Sequence, residues 1–352
     1  MASRRFLLQA AATAPAWIAA TTWAQAARPA GAARPTVVDG AGRRVAVPAR
    51  VERVFPAGPP AAILLYTLAP ELLLGWPRAN RAQEREFLLP GIGERPELGR
   101  LTGRGNTANL ENVLALKPDL IVDAGSTRQT FVELADRVQA QTGVPYALLD
   151  GRFERIPASY AALGELVGRP ERARELARYA EDTMATVRGR CLAVPAAQRP
   201  RVYYARGPAG LETGLAGSIN VEVLEFLGLR NVAAEAPGGL ATVSPEQVLR
   251  WDPEVIVTID QAFAATVRDK PLWQGVRAVR AGRVHLSPKL PFGWIDFPPG
   301  VNRLIGLWWL GKVVYPERFP EDLHALTREF YQRFYQVKPT DAQIERVLAG
   351  RG

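Results

Sequence analysis

One segment of the chain occurs twice, and this duplication constrains the fold more than any other feature. Residues 109–122 read Asn-Leu-Glu-Asn-Val-Leu-Ala-Leu-Lys-Pro-Asp-Leu-Ile-Val, and residues 244–257 read Ser-Pro-Glu-Gln-Val-Leu-Arg-Trp-Asp-Pro-Glu-Val-Ile-Val; six of fourteen positions are identical. Each copy begins with a residue typical of a helix cap, continues as a short apolar helix and ends in a β-branched run typical of a buried strand. The sequence therefore predicts one helix-strand unit that was built twice.

Strand and helix patterns alternate on both sides of a long helical stretch, which is typical of parallel sheets. We expect an α/β fold with two Rossmann-like lobes, each with a parallel sheet, joined by one long α-helix. The predicted first lobe covers residues 36–158, the joining region 159–195 and the second lobe 200–350. The long helix is predicted to start at Pro170 and to end before Pro195.

Two further elements are predicted with less regular patterns. Residues 72–76 are predicted to form a strand of the first lobe, and residues 320–337 a terminal helix that packs on the outside of the second lobe. Both predictions rest on local apolar spacing alone.

The N-terminus has the features of an export signal. Arg4 and Arg5 precede an uncharged, Ala-rich stretch that ends in the small-x-small sequence Ala24-Gln25-Ala26, so residues 1–26 are predicted to be a signal peptide cleaved near Ala26. The paired arginines favour the twin-arginine route, and a Sec signal is the alternative. The single cysteine, Cys191, is remote from the cleavage site and offers no lipid attachment there, so a soluble periplasmic protein is expected.

The composition excludes several classes of function. The formal net charge is +9, but 39 of the 44 basic residues are arginines scattered along the chain, which argues against nucleic acid as a partner. The chain has two histidines and lacks the nucleophile-elbow, Walker and zinc-helix motifs. We therefore predict that it is not an enzyme, holds no cofactor and has no residues that bind a bare metal ion directly.

Candidate ligand-binding residues lie in loops that follow predicted strands, where the cleft of an open α/β sheet is expected. Arginine offers planar bidentate donors for carboxylate, catecholate or oxyanion groups, and aromatic rings offer apolar walls. For Trp294 and Phe297 the alternative is that they cover an edge of the core. The predicted ligand-binding residues are Arg104, Tyr204, Arg206, Trp294 and Phe297.

Glu111 and Glu246 occupy matching positions in the two copies of the repeat, just after each cap. A carboxylate at this place gains roughly 0.3–1 kcal/mol from the helix dipole, which is sufficient reason for an acid there. Composition and spacing alone assign them no partner.

The two repeat copies, the Arg53 strand, the single long helix and the Gly-Arg-Val-His strand at residues 282–285 together resemble the periplasmic substrate-binding proteins of iron-siderophore and vitamin B12 ABC importers. The resemblance implies two lobes joined by one helix, with the ligand between them. It also implies that a glutamate on each lobe, in the contexts Asn-Leu-Glu and Val-Ser-x-Glu, docks onto arginines of the membrane permease. Those contexts place the docking residues at Glu111 and Glu246.

The resemblance implies a monomeric periplasmic receptor that captures an iron complex, or another metal complex, and delivers it to an inner-membrane permease. The family also carries ferric siderophores, haem, cobalamin, nickel chelates and molybdate, and no motif separates them here. A molybdate or tungstate receptor of the same fold is the first alternative. A periplasmic α/β enzyme is the second.

Overall fold

A computed structural model describes residues 35–103 and 107–350. The signal peptide predicted over residues 1–26 and the predicted ligand-binding residue Arg104 lie outside the described residues. The first elements of the described residues are an antiparallel pair of strands, β1 (Thr36–Val38) and β2 (Arg44–Ala46). The Asp39 carboxylate accepts backbone N–H groups of Ala41 and Arg43 and so closes the turn between them.

The first lobe is built on a parallel sheet with the strand order β3-β4-β5 and helices between the strands. Its elements are β3 (Val54–Pro56), α1 (Pro59–Leu68), α2 (Ala82–Arg85), α3 (Leu110–Ala115), β4 (Leu120–Gly125), α4 (Gln129–Thr142) and β5 (Tyr146–Asp150).

Two helices lead out of this lobe, α5 (Ile156–Val167) and α6 (Pro170–Leu192). Helix α6 confirms the predicted long helix: Pro170 occupies its first turn, and a stripe of residues at three- and four-residue spacing is buried along it. Its 23 residues span roughly 35 Å at 1.5 Å per residue. The buried stripe consists of Ala173, Leu176, Ala180, Thr183, Met184, Val187 and Cys191.

The second lobe has a parallel sheet with the order β8-β6-β10-β11 and an antiparallel pair, β7 and β9. Its elements are β6 (Arg201–Ala205), β7 (Glu212–Gly214), α7 (Glu222–Phe226), β8 (Arg230–Asn231), β9 (Leu240–Thr242), α8 (Pro245–Trp251), β10 (Val255–Thr258), α9 (Gln261–Thr266), α10 (Pro271–Gln274), α11 (Arg277–Arg280), β11 (Val284–Leu286), α12 (Arg303–Val314), α13 (Leu323–Phe330) and α14 (Asp341–Leu348). Short 3₁₀ helices cover Pro70–Leu72, Phe153–Arg155, Ala196–Gln198, Val267–Asp269 and Pro316–Arg318.

The two copies of the repeat fold in the same way. Val54 of β3 pairs with Leu120 of β4, and Val202 of β6 pairs with Val255 of β10, so that equivalent residues are in register in both sheets. This equivalence confirms the fold class predicted from the duplicated segment.

An arginine before each first strand secures the duplicated helix. The Arg53 guanidinium donates through Nη2 to the Leu116 carbonyl at 2.6 Å, just after α3. In the second lobe the Arg201 guanidinium donates to the carbonyl of Trp251, the last residue of α8. Carbonyls at a helix C-terminus lack intrahelical donors, so these cations satisfy them and fix each helix against the amino end of its sheet.

The prediction of a strand over residues 72–76 is wrong. Leu73 makes a single parallel bridge with Val54, and Trp76 makes one with Glu97. Because the segment changes its partner within three residues, it forms no continuous ladder.

The C-terminal prediction is corrected in both extent and location. Helix α13 ends at Phe330 and continues as a π-helical segment, Tyr331–Tyr335. The Phe330 and Phe334 rings stack at 4.5 Å and are fully buried, and the Tyr66 hydroxyl of α1 donates to the Tyr335 carbonyl at 3.0 Å. This aromatic segment therefore packs into the core against the first lobe instead of covering the outside of the second.

One apolar core continues through both sheets. It includes Leu120 of β4, Leu176 of α6, Tyr204 of β6 and Leu307 of α12 in one cluster of buried residues. The described residues belong to a single compact unit, so the lobe boundaries at residues 158 and 200 remain a prediction.

Candidate functional site

A buried carboxylate organises the polar side chains at the carboxyl end of β6. Asp296 lies in the loop of residues 287–302 and is almost fully buried. Its Oδ2 accepts the Tyr204 hydroxyl at 2.8 Å and lies 3.2 Å from the Arg206 Nε. Its Oδ1 accepts the Asn220 amide at 2.8 Å. The predicted residues Tyr204 and Arg206 are therefore brought together by an aspartate that the sequence analysis missed.

The charge of Arg206 is balanced within this cluster. Its Nη1 lies 3.1 Å from the Glu212 carboxylate, in addition to the ion pair with Asp296. Burial, followed by the charge of Asp296, raises the pKa of Tyr204 well above its ordinary value, so this phenol stays a neutral donor. One guanidinium thus pairs with two carboxylates, and among the described residues the cluster has no surplus positive charge.

Phe297, the next residue, is an exposed aromatic side chain held in an unusual conformation. Its side chain is 70 % exposed and its φ is +66°, in the left-handed region that non-glycine residues seldom adopt. Its N–H donates to the Asp296 Oδ1 at 2.6 Å, which fixes the backbone at this point. The turn also requires Gly293, where a Cβ atom would lie 1.7 Å from the Asp296 carbonyl oxygen.

Trp294 is placed differently from its predicted role as a ligand wall. It is fully buried, and its indole lies beside the Tyr331 hydroxyl of the C-terminal aromatic segment. Helix α12 packs closely against the same turn, because a Cβ atom at Gly306 would lie 2.0 Å from the Trp294 carbonyl oxygen. In this structure Trp294 packs between its own loop and the C-terminal aromatic segment and presents no surface to solvent.

The first lobe contains a second buried acid in the carboxyl-terminal half of β4. The Asp123 Oδ1 accepts the Thr102 hydroxyl at 2.9 Å, and Oδ2 accepts the Tyr146 hydroxyl at 3.4 Å. Burial raises the pKa of Asp123, and these two hydrogen bonds oppose the shift only in part. Gly58, at the N-terminus of α1, is close to this strand: a Cβ atom there would lie 2.8 Å from the Thr102 hydroxyl oxygen, so the strand and the helix start are closely packed.

Direct contacts join the two lobes beside these strand ends. Arg303, at the start of α12, is 1 % exposed and pairs with Glu222 of α7 at 2.5 Å. It also donates to the Gly151 carbonyl of the first lobe at 2.8 Å, while the Phe153 N–H donates to Glu222 at 2.8 Å. The carboxyl end of β5 is therefore tied to the second lobe by a buried ion pair.

Glu111 and Glu246 are both exposed at the second position of their helices. The Asn109 side chain caps α3 by accepting the Glu111 N–H at 2.8 Å, and the Ser244 side chain caps α8. The Glu246 pKa is lowered by its own backbone N–H and then by the Ser244 hydroxyl. Within residues 35–103 and 107–350, neither the Glu111 nor the Glu246 carboxylate forms an ion pair.

Within the described residues, no helix is long and apolar enough to cross a membrane, and no group of three or more His, Cys, Asp or Glu side chains is placed to hold a metal ion.

Two similar sheets, one joining helix and polar clusters at the strand ends define a two-lobed solute-binding protein. A family model described as "Periplasmic binding protein" matches residues 94–290, and the chain belongs to this family. It is thus a periplasmic binding protein of the kind that serves ABC transporters, as the resemblance implied.

Individual relatives agree with this assignment. The molybdate-binding protein MolA of Haemophilus influenzae is 26% identical over 70% of this chain and 76% of its own length. A vitamin B12-binding protein of Pectobacterium carotovorum is 30% identical over 42% of this chain and 53% of its own. Among solved structures, an ABC transporter solute-binding protein of Sulfurospirillum deleyianum is 28% identical and has a TM-score of 0.81, covering 90% of this chain and 99% of that one.

Proposed function

We propose that this protein captures a metal complex beside the Asp296 cluster and delivers it to an ABC permease through Glu111 and Glu246. In this role it acts as a receptor without enzymatic activity. The observation that carries the solute site is the exposed, left-handed Phe297 fixed by the buried Asp296.

Backbone strain of this kind costs about 1–3 kcal/mol and persists where the surroundings enforce it, often at ligand-binding sites. Here Asp296 enforces it, and the result is an apolar ring beside a rigid polar cluster that includes Arg206 and Asn220. A ring of this type provides a wall for the organic shell of a chelate, and the Asn220 amide and Arg206 guanidinium provide hydrogen-bond donors next to it.

The charge balance favours a metal complex over a bare oxyanion. Arg206 is paired with both Asp296 and Glu212, so a dianion brought against it would meet two carboxylates as well as one cation. A chelate whose shell spreads or neutralises the charge avoids this repulsion.

Molybdate is the second candidate, and a specific observation favours it. The relative that matches 70% of this chain is a molybdate-binding protein, and a molybdate-bound MolA structure from the same organism shares the fold with a TM-score of 0.73. A molybdate site in this chain requires donors besides Arg206, because that guanidinium already serves two acids.

A thermal-shift panel with the mature protein tests the solute. The panel contains ferric catecholate and hydroxamate siderophores, haem, cobalamin, nickel-histidine and molybdate. Saturation at 1,000 times Kd adds about 4 kcal/mol of stability, which corresponds to roughly 6 °C for a chain of this size. A shift with one chelate that is roughly 2 °C smaller in Phe297→Ala and unchanged in Val38→Ala, an exposed control in β1, supports the proposal. A shift with molybdate alone selects the second candidate.

Delivery is supported by the exposure of Glu111 and Glu246 on equivalent helices, where neither carboxylate forms an ion pair with another described residue, and by the similarity to an ABC transporter solute-binding protein. Replacing both glutamates with alanine is expected to abolish transport into permease-containing vesicles while solute affinity is retained. Transport at the wild-type rate would refute the docking role. Turnover of a bound solute would refute the receptor role.

A further inference from the structure

Helices α3 and α8 each carry an exposed leucine one turn after the glutamate. The Leu114 side chain is 41% exposed and the Leu249 side chain 38%, and they occupy the same position in the two repeat copies. The residue before each leucine, Val113 or Val248, is buried and faces the core. The leucines therefore lie outside the core-facing stripe of their helices.

Each leucine shares a helix face with its glutamate. Residues three apart are neighbours on a helix surface, so Glu111 lies beside Leu114 and Glu246 beside Leu249. Neither carboxylate forms an ion pair with another described residue. Each lobe thus presents, next to an apolar side chain, an acid that has no ion-pair partner among the described residues.

We propose that Leu114 and Leu249 are apolar anchors of a duplicated docking surface for the ABC permease, and this inference rests on the proposed function. The duplicated surface consists of Glu111 and Leu114 on α3 and of Glu246 and Leu249 on α8. Because the same pair is displayed twice by the same fold, it fits a partner that has two equivalent faces, each with a cationic group beside an apolar pocket.

The two kinds of side chain contribute differently to docking. Exposed carboxylates attract cations through a field that salt screens, whereas burial of a leucine removes apolar surface from water and is insensitive to moderate salt. The leucines therefore hold the complex at salt concentrations where the glutamates contribute little.

The strand pair beside the solute site leads directly to this surface. Glu212, which pairs with Arg206, is in register with Thr242 in the β7–β9 ladder. Ser244, the cap of α8, follows two residues later. The docking surface is thus continuous with the proposed solute site through one short ladder, as a receptor that releases its solute into a docked permease requires.

The test is binding of the full mature protein to its ABC permease complex in lipid nanodiscs, measured by biolayer interferometry at about 50 and 300 mM salt. The variants are Leu114→Gln, Leu249→Gln and the double variant, because glutamine keeps side-chain length and helix propensity. Leu192→Gln is the matched control: Leu192 is 71% exposed at the end of α6 and has no counterpart in the repeat.

Each single leucine variant is expected to weaken binding about fivefold and the double variant about 20-fold at both salt concentrations, with unchanged melting temperatures. A double variant that binds like Leu192→Gln overturns the inference. Light scattering tests whether a second copy of this chain covers the leucines instead. A wild-type dimer that becomes a monomer in the leucine variants overturns the inference.

Glu111→Gln/Glu246→Gln separates this inference from the proposed function. Weaker binding by the glutamate variant at low salt, together with wild-type binding by the leucine variant, refutes the anchors and leaves glutamate docking intact. Wild-type binding by both variants refutes both.

Discussion

The contact between Arg303 and Glu222 provides the sharpest test of how the lobes are held together. Glu222→Gln removes the negative charge but keeps an oxygen for the Phe153 N–H, which donates to Glu222 at 2.8 Å. The variant therefore removes the charge of the pair and leaves Arg303 buried with neutral acceptors among the described residues, namely the new amide oxygen and the Gly151 and Gly300 carbonyls at 2.8 and 3.0 Å.

The expected cost follows from burial. Removing one partner of a buried ion pair typically costs 3–5 kcal/mol, on the order of a third of a domain's stability, because the remaining charge stays desolvated. The Arg303 side chain is 2% exposed and that of Glu222 is 19% exposed, so water partly screens the pair and the lower value applies. We expect a loss of roughly 3 kcal/mol, or a fall of about 5 °C in Tm.

The assay is a double-mutant cycle by urea unfolding with Glu222→Gln, Arg303→Met and the double variant. Because one core runs through both lobes, a single unfolding transition is expected. The double variant has no uncompensated buried charge, so its cost is expected to be lower than the sum of the single costs by about 2 kcal/mol or more. Glu52→Gln is the exposed control, since its pair with Arg50 lies in solvent, and its cost is expected to stay below about 0.5 kcal/mol.

Single costs that add within about 0.5 kcal/mol would refute the reasoning, because additivity means that the two side chains do not interact energetically. A Glu222→Gln cost equal to that of Glu52→Gln would refute it as well.

Three further predictions concern single side chains. Burial raises the pKa of Asp123, so the native state retains a proton that the unfolded state has lost. The contribution of Asp123 to stability therefore falls as pH rises from the unfolded pKa through the native one. Asp123→Asn keeps the Thr102 hydrogen bond and is expected to remove this dependence when Tm is measured from pH 4 to 8. Plots of Tm against pH that run parallel for the wild type and the variant would contradict this. Phe297→Ala is expected to weaken solute binding roughly tenfold in calorimetry without lowering Tm, and an unchanged Kd would exclude the ring from the site. Cys191 is buried and its pKa is raised by that burial, so iodoacetamide is expected to label it in urea but not in the native protein at pH 7, and rapid native labelling would contradict its burial.

The fold was predictable from the sequence because its strongest signals are local and occur twice. Helix α6 has a proline in its first turn and a regular buried stripe, and both are visible in the sequence. The strand register of the two repeat copies follows from their β-branched runs, since Leu120 and Val255 occupy matching positions opposite Val54 and Val202. These elements required no knowledge of tertiary contacts.

The candidate site was predictable only in part, because burial depends on partners that are distant in sequence. Trp294 and Phe297 are three residues apart in one aromatic loop, yet one is fully buried and the other is 70% exposed. The difference arises from α12 and from Tyr331, which cover Trp294. Asp296 was missed because a lone aspartate in a loop carries no pattern. The one signal that could have identified it was its place between those two aromatic residues.

The duplicated helix explains why the proposed solute and docking surfaces fall at the same edge of each sheet. Arg53 and Arg201 precede the first strands and bind the carbonyls at the C-terminal ends of α3 and α8, so these helix ends lie at the amino ends of the strands. A helix that connects into a parallel strand runs antiparallel to it, so its N-terminus lies at the carboxyl end. Glu111 and Glu246 are therefore placed at the edge where solute clefts of open α/β sheets form. A partner that docks on both helices thus faces the cleft, and this holds for each lobe because one unit was built twice.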